Sequence, residues 1–125
     1  MAQMNNETFD TAKFSDLIDA NSEYVQTFKY SELTGSAARG LAIVTCMDSR
    51  INPLSVVGMR SGDAKILRNA GARVTEDVLR TLVLATYLLN VDRILVMPHT
   101  DCRMAQSEES NIHELIESKF GVDTR

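Results

Sequence analysis

Cys46, Asp48 and Arg50 alternate with Met47 and Ser49 in the stretch "TCMDSR", and His99 and Cys102 stand three apart in "HTDC". Thiolate and imidazole are both zinc-type ligands, and an H-x-x-C turn can aim its two side chains at one point. Alone, such a pair is more often chance than a metal site, and a cysteine at a strand end is more often a small core residue. The weight rises if Cys46 lies at the same sheet edge as His99 and Cys102. Two thiolates and one imidazole then converge and leave a fourth tetrahedral place free, as catalytic rather than structural zinc sites do. Asp48 could fill that place. Arg50 competes for the same carboxylate, because a planar guanidinium binds it in a bidentate manner and stays charged at any working pH. The other histidine, His113, lies in an amphipathic stretch and reads as a surface or interface residue.

The elements that must position these residues are visible as pattern. "LAIVTC" (41–46), "AKILR" (64–68) and "RILVMP" (93–98) are nearly continuous in apolar residues, as expected for strands of a parallel sheet covered on both faces. Helical signals separate them. Asn52-Pro53 offers an N-cap and a proline at the first helical position, with Gly58 and Gly62 closing a short helix. Thr75 caps a longer one, where Glu76 and Asp77 favour the helix start and Val78, Leu79, Leu82, Val83 and Tyr87 form an apolar face. A last helix is expected from near Ser107, with Ile112, Leu115, Ile116 and Phe120 on one stripe and Gly121 as its stop. Phe14, Leu17, Ile18, Tyr24, Val25 and Phe28 predict one or two amphipathic helices over roughly residues 10 to 30. The order of elements predicts an α/β fold with a mostly parallel β-sheet flanked by helices. In such sheets ligands bind beyond the carboxyl ends of the strands, which singles out "CMDSR", "RNAGA" and "HTDCRM".

A chain of 125 residues with 44% hydrophobic content fits one domain with a real core. We expect a single domain over 1–125, with an N-terminal helical arm over about 8–30 and an α/β core over about 39–125. The net charge of -4 and the scattered basic residues exclude the basic stripe of a nucleic-acid binder. No apolar run reaches the length of a membrane span, and "MAQMNNETFD" lacks the regions of a signal peptide, so a soluble cytoplasmic protein is expected. Two cysteines are too few for a secreted disulfide framework.

Cys46-Met47-Asp48-Ser49-Arg50, followed about fifty residues later by His99-Thr100-Asp101-Cys102, resembles the paired C-x-D-x-R and H-x-x-C signature of the β-class carbonic anhydrases. The intervening "GDAKILRNAGARVTEDVLRTL" also resembles that family's second strand, Arg-Asn-Ala-Gly loop and following helix, and the short bacterial members are the most similar. The resemblance implies one zinc ion (Zn2+) per chain, held by Cys46, His99 and Cys102, with Asp48 and Arg50 as a dyad beside the open place. With Arg50 holding Asp48, water takes that place; with the pair broken, Asp48 ligates zinc and closes the site. The implied reaction is reversible hydration of CO2 to bicarbonate and a proton by a zinc-bound hydroxide. The family's loop matching Arg68-Asn69-Ala70-Gly71 lies near the active site, and Gly71 is carried over as a substrate-binding residue, against the plainer reading of a tight turn. A homodimer or higher oligomer is also implied.

The pattern departs at Arg103, where the family usually has glycine, and at Arg125, where members usually continue through further helix and strand, so a C-terminally truncated form is expected. Other readings stay open, the first of them motivated by these departures. One is a zinc-binding but inactive regulatory or assembly protein of the same fold. Another is a hydrolase of a related heterocumulene such as CS2, and a third is a thiol redox switch.

Overall fold

The structure, a computed structural model, describes residues 10–103 and 109–124. It divides into two units, one up to Leu33 and one from Thr34 onward. In the first, a 3-10 turn (Ala12–Phe14) leads into α1 (Ser15–Gln26), within the span that the apolar spacing predicts. Thr27 ends the helix, its hydroxyl donating to the Glu23 carbonyl at 3.0 Å. Tyr24, Phe28 and Tyr30 then form a run of ring contacts with centroids 5.8 and 5.9 Å apart. The helix buries none of its residues.

In the second unit, β1 (Leu41–Cys46) is the centre of a three-stranded parallel sheet, between β2 (Ala64–Asn69) and β3 (Arg93–Met97). Its β-branched Ile43, Val44 and Thr45 suit a pleated strand, and every residue of β1 is buried. Since successive side chains point to opposite faces, this means that both faces are covered. Ala42 and Val44 join Val78, Leu82 and Ala85 of α3 (Glu76–Leu88), with Ala37 and Val91, in one apolar core. Thr45 is fully buried and donates its hydroxyl to the Met97 carbonyl at 2.8 Å, so the ends of β1 and β3 are tied by a side chain.

The caps read from sequence are present. Asn52 accepts the Ser55 N–H at 3.5 Å at the start of α2 (Pro53–Val56), and Thr75 accepts that of Val78 at 3.4 Å at the start of α3. α4 (Glu109–Phe120) stops at Gly121, whose N–H returns to the Glu117 carbonyl at 2.8 Å. The expected start of this helix near Ser107 lies outside the described residues. No helix among the described residues is long and apolar enough to cross a membrane.

Two expectations need correction. Only β1 is buried throughout: Ile94, Leu95 and Val96 of β3 are 37 to 49% exposed, because α3 packs on β1 and leaves β3 largely uncovered among the described residues. The apolar face of α3 also splits, with Val78 and Leu82 buried while Leu79, Val83 and Tyr87 stay exposed around a groove that includes Ile94.

The starts of β1 and β3 are pinned at Gly40, whose carbonyl accepts the N–H groups of Asp92 and Arg93 at 2.9 and 3.1 Å. Gly40 has φ +67, and a Cβ there would clash with Asp92 Oδ1. Gly40→Ala is therefore expected to lower stability to urea by about 1–2 kcal/mol from the left-handed backbone alone. Gly35→Ala, where an added Cβ meets nothing within 4 Å, is expected to change it by no more than about 0.5 kcal/mol.

Candidate metal centre

Parallel strands present their carboxyl ends at one edge, and β1 ends on Cys46 while β3 ends just before Pro98-His99. Asp101 then adopts a left-handed backbone with φ 55, turning the chain so that Cys102 comes back beside Cys46. The two sulfurs lie 3.8 Å apart, and both thiols are buried and free of disulfide. The ligand atoms of Cys46, His99 and Cys102 all fall within 4.8 Å of one another.

His99 is oriented by its own turn. Its Nδ1 lies 2.6 Å from the Thr100 carbonyl, which can only accept, so Nδ1 carries the proton and Nε2 presents a lone pair. Nε2 is buried and has no hydrogen-bond partner. Leaving such an atom unsatisfied costs about 1–3 kcal/mol. A lone pair without a partner, facing two thiols, is what a soft-ligand cation site requires, and the donor set fits zinc.

The charge on Cys46 supports this, while His99 must give up a proton that its surroundings favour. Burial is the largest influence on the Cys46 thiol and raises it, but the Gly71 N–H, His99, the Asp48 backbone and Cys102 together outweigh burial and bring it down to about 7. His99 is raised, first by the Cys46 side chain and then by the Thr100 carbonyl, against the opposing effect of burial. Zinc requires thiolate, so a thiol already easy to ionise lowers the proton cost of binding.

Asp48 and Arg50 form the bidentate pair that their spacing allows. Arg50 Nε donates to Oδ1 at 3.0 Å and Nη2 to Oδ2 at 2.6 Å, while the Arg50 backbone N–H also reaches Oδ1 at 2.8 Å. The Arg50 guanidinium, followed by its backbone N–H, holds the Asp48 carboxyl well below the usual carboxylate range. Asp48 Oδ2 also stands 3.8 Å from His99 Nε2, so this carboxylate borders the ligand cluster while bound to Arg50. Arg50 reaches across to the third loop, donating to the Asp101 carbonyl at 3.3 Å.

The second loop contributes in ways the sequence reading missed. Arg68 donates from Nε to the Cys46 carbonyl at 2.8 Å and from Nη2 to the Asp48 carbonyl at 2.7 Å. The Asn69 amide closes its own loop, donating to the Arg73 carbonyl at 2.6 Å and accepting the Arg73 N–H at 2.9 Å. Within that loop Gly71 has φ 95, and its backbone N–H helps to lower the Cys46 thiol. The register explains the placement: Cys46 pairs with Asn69 and Thr45 with Arg68, which sets the Arg-Asn-Ala-Gly run beside the first ligand. Of the other residues singled out, His113 is not in the ligand group and contacts Thr124 Oγ1, and Arg103 is exposed.

In the metal-free chain, alkylation of Cys46 by iodoacetamide, followed by peptide mass spectrometry, is expected to rise with pH through a midpoint at about 7. The sign follows from the thiolate being the nucleophile and from its stabilisation in the fold, which moves the midpoint down from the ordinary 9.0. A midpoint at the ordinary value would contradict the described surroundings of this thiol.

Comparison with known proteins agrees with the geometry. The family model for carbonic anhydrase matches residues 41–120. β-Carbonic anhydrase 1 of Mycobacterium tuberculosis is 34% identical over 107 residues, covering 86% of this chain and 65% of that protein. The carbon disulfide hydrolase of Saccharolobus solfataricus is 46% identical over 66 residues, covering 53% of this chain and 32% of that one. The crystal structure of a carbonic anhydrase from Streptococcus mutans superposes with a TM-score of 0.80 at 38% identity, over 94% of this chain and 69% of that chain. The chain thus spans less than two thirds of the length of these two curated relatives. On family match, fold and identity together, the chain belongs to the β-class carbonic anhydrases.

Proposed function

We propose that this chain carries the zinc centre of an enzyme that hydrates CO2 reversibly to bicarbonate and a proton. The observation that carries the reading is the convergence of Cys46, His99 and Cys102 beside an Asp48 carboxylate that Arg50 holds 3.8 Å from the His99 nitrogen. The two thiolates and His99 Nε2 would hold one Zn2+, which when bound lowers the pKa of water and so supplies hydroxide near neutral pH. Asp48, kept ionised by Arg50, can only accept a hydrogen bond, and an acceptor there orients the attacking oxygen's lone pair towards the carbon of CO2. Arg50 keeps that carboxylate from being drawn to the ligand cluster. The new C–O bond forms as one C=O π pair moves onto oxygen, and the proton lost from water passes to buffer.

A second reading is favoured by the 46% identity to a carbon disulfide hydrolase over 66 residues. CS2 has the same linear, electrophilic carbon as CO2, so the same residues would serve and access to the site would choose between them. We also place the chain in a homo-oligomer. The exposed apolar residues of α1 and of β3 offer contact surface, and two related β-carbonic anhydrases from Sordaria macrospora are tetrameric.

The reading is tested by metal content together with stopped-flow CO2 hydration in the presence of a pH indicator. We expect one zinc per chain and hydration well above the buffer rate. Asp48→Asn is expected to retain zinc and lose about 100-fold or more in rate, the scale set by removing one oriented polar group at a reacting centre. Cys46→Ser is expected to lose the metal. A zinc-loaded chain no faster than buffer on CO2 but active on CS2 would move the assignment to the second reading, and inactivity on both would leave a zinc-binding protein without turnover.

A further inference from the structure

We infer that Arg68 is a positioning residue that keeps Asp48 on Arg50, an inference that rests on the role proposed above for that pair. All of its hydrogen bonds among the described residues go to main-chain carbonyls, of Cys46 at 2.8 Å, Asp48 at 2.7 Å and Ile51 at 3.3 Å. These three carbonyls lie along the turn that leaves β1, which is otherwise held by the hydrogen bonds of Arg50 and by few backbone bonds of its own. Its own backbone bonds are Met47 N–H to the Asn69 carbonyl at 2.8 Å and Ile51 N–H to the Asp48 carbonyl at 3.2 Å. The guanidinium therefore acts as a staple from β2, a strand with no role of its own in the ligand set.

The staple acts on Asp48 at the end opposite the carboxylate. Arg68 fixes the Asp48 carbonyl, and the Arg50 N–H and guanidinium fix the carboxylate, so the residue is held at both ends. Without Arg68 the Asp48 carbonyl keeps only the 3.2 Å bond from the Ile51 N–H, so the turn can swing, and the carboxylate is already near His99 Nε2. Loss of Arg68 therefore shifts Asp48 from Arg50 towards the metal ligands. A planar fork suits the staple because Nε and Nη2 are held at fixed directions towards carbonyls two residues apart, a geometry that the freely rotating ammonium of lysine does not preset.

The test uses the full chain loaded with Co2+, whose visible absorption reports the ligands around it without any need for turnover. Arg68→Met is expected to retain cobalt and cooperative unfolding, yet to shift the visible bands and change their intensity as the Asp48 carboxylate replaces solvent at the ion. In the Asp48→Asn background the same substitution is expected to leave the spectrum unchanged, because the carboxylate that moves is gone. Arg68→Lys should fall between parent and Arg68→Met, and it carries the same comparison if the methionine variant does not fold. In the zinc form, kcat for Arg68→Met is expected to fall by about 10- to 100-fold with KM little changed, as for a misplaced reacting group. Bands that do not move on loss of Arg68, or that move equally with Asn at position 48, would overturn the inference. A zinc-loaded parent chain inactive on CO2 would sink the hydration reading while the cobalt spectra still decide the role of Arg68.

Discussion

Parallel hydrogen bonding between β1 and its two neighbours sets where every candidate side chain stands. With Cys46 opposite Asn69 and Thr45 opposite Met97, three chain segments leave the sheet at one edge. An antiparallel β3 would carry His99 and Cys102 to the far end, and a slip of one residue would turn Cys46 to the other face. The register is secured at both ends, by the Gly40 carbonyl at the strand starts and by the Thr45 hydroxyl at their finish. Complete burial of β1 makes the cost of slippage high, since it would disturb both packed faces at once.

At that edge the chemistry rests on one buried nitrogen left without a partner beside two thiols in contact with each other. Two buried thiols and an imidazole nitrogen without a hydrogen-bond partner make a poor core and a good cation site. The Asp48 carboxylate would add to the ligand set if left alone. Its pairing with Arg50, itself 63% exposed, draws it outward, so a solvent-facing guanidinium decides what a mostly buried carboxylate does. Loops one and two cooperate here: Arg68 organises the backbone of the first, while the Gly71 N–H helps to lower the thiol that ends β1.

Local signals were legible where local physics dominates. The bounds of β1 coincide with its apolar run, and those of β2 and β3 differ from theirs by one residue. The Asn52 and Thr75 caps were readable because a short polar side chain before a helical run has few other uses. The five residues of the two motifs were readable because their chemistry is rare and their spacing constrained. What escaped depends on packing between elements or on reach. Ile94, Leu95 and Val96 read as buried, but no periodicity shows which strand a helix covers. Leu79 and Val83 are as apolar as Val78 and Leu82, and only the placement of α3 over β1 separates them. Arg68 acts on carbonyls up to 22 residues away in sequence, and such contacts leave no pattern in a single chain.

The central claim is that Cys46, His99 and Cys102 bind one zinc ion together and leave its fourth position to something other than cysteine or histidine. The zinc K-edge X-ray absorption spectrum of the metal-loaded chain tests it most directly. The account predicts two sulfurs and one imidazole nitrogen around the ion, completed by one oxygen. Four sulfur ligands, or a sphere of nitrogen and oxygen alone, would contradict it.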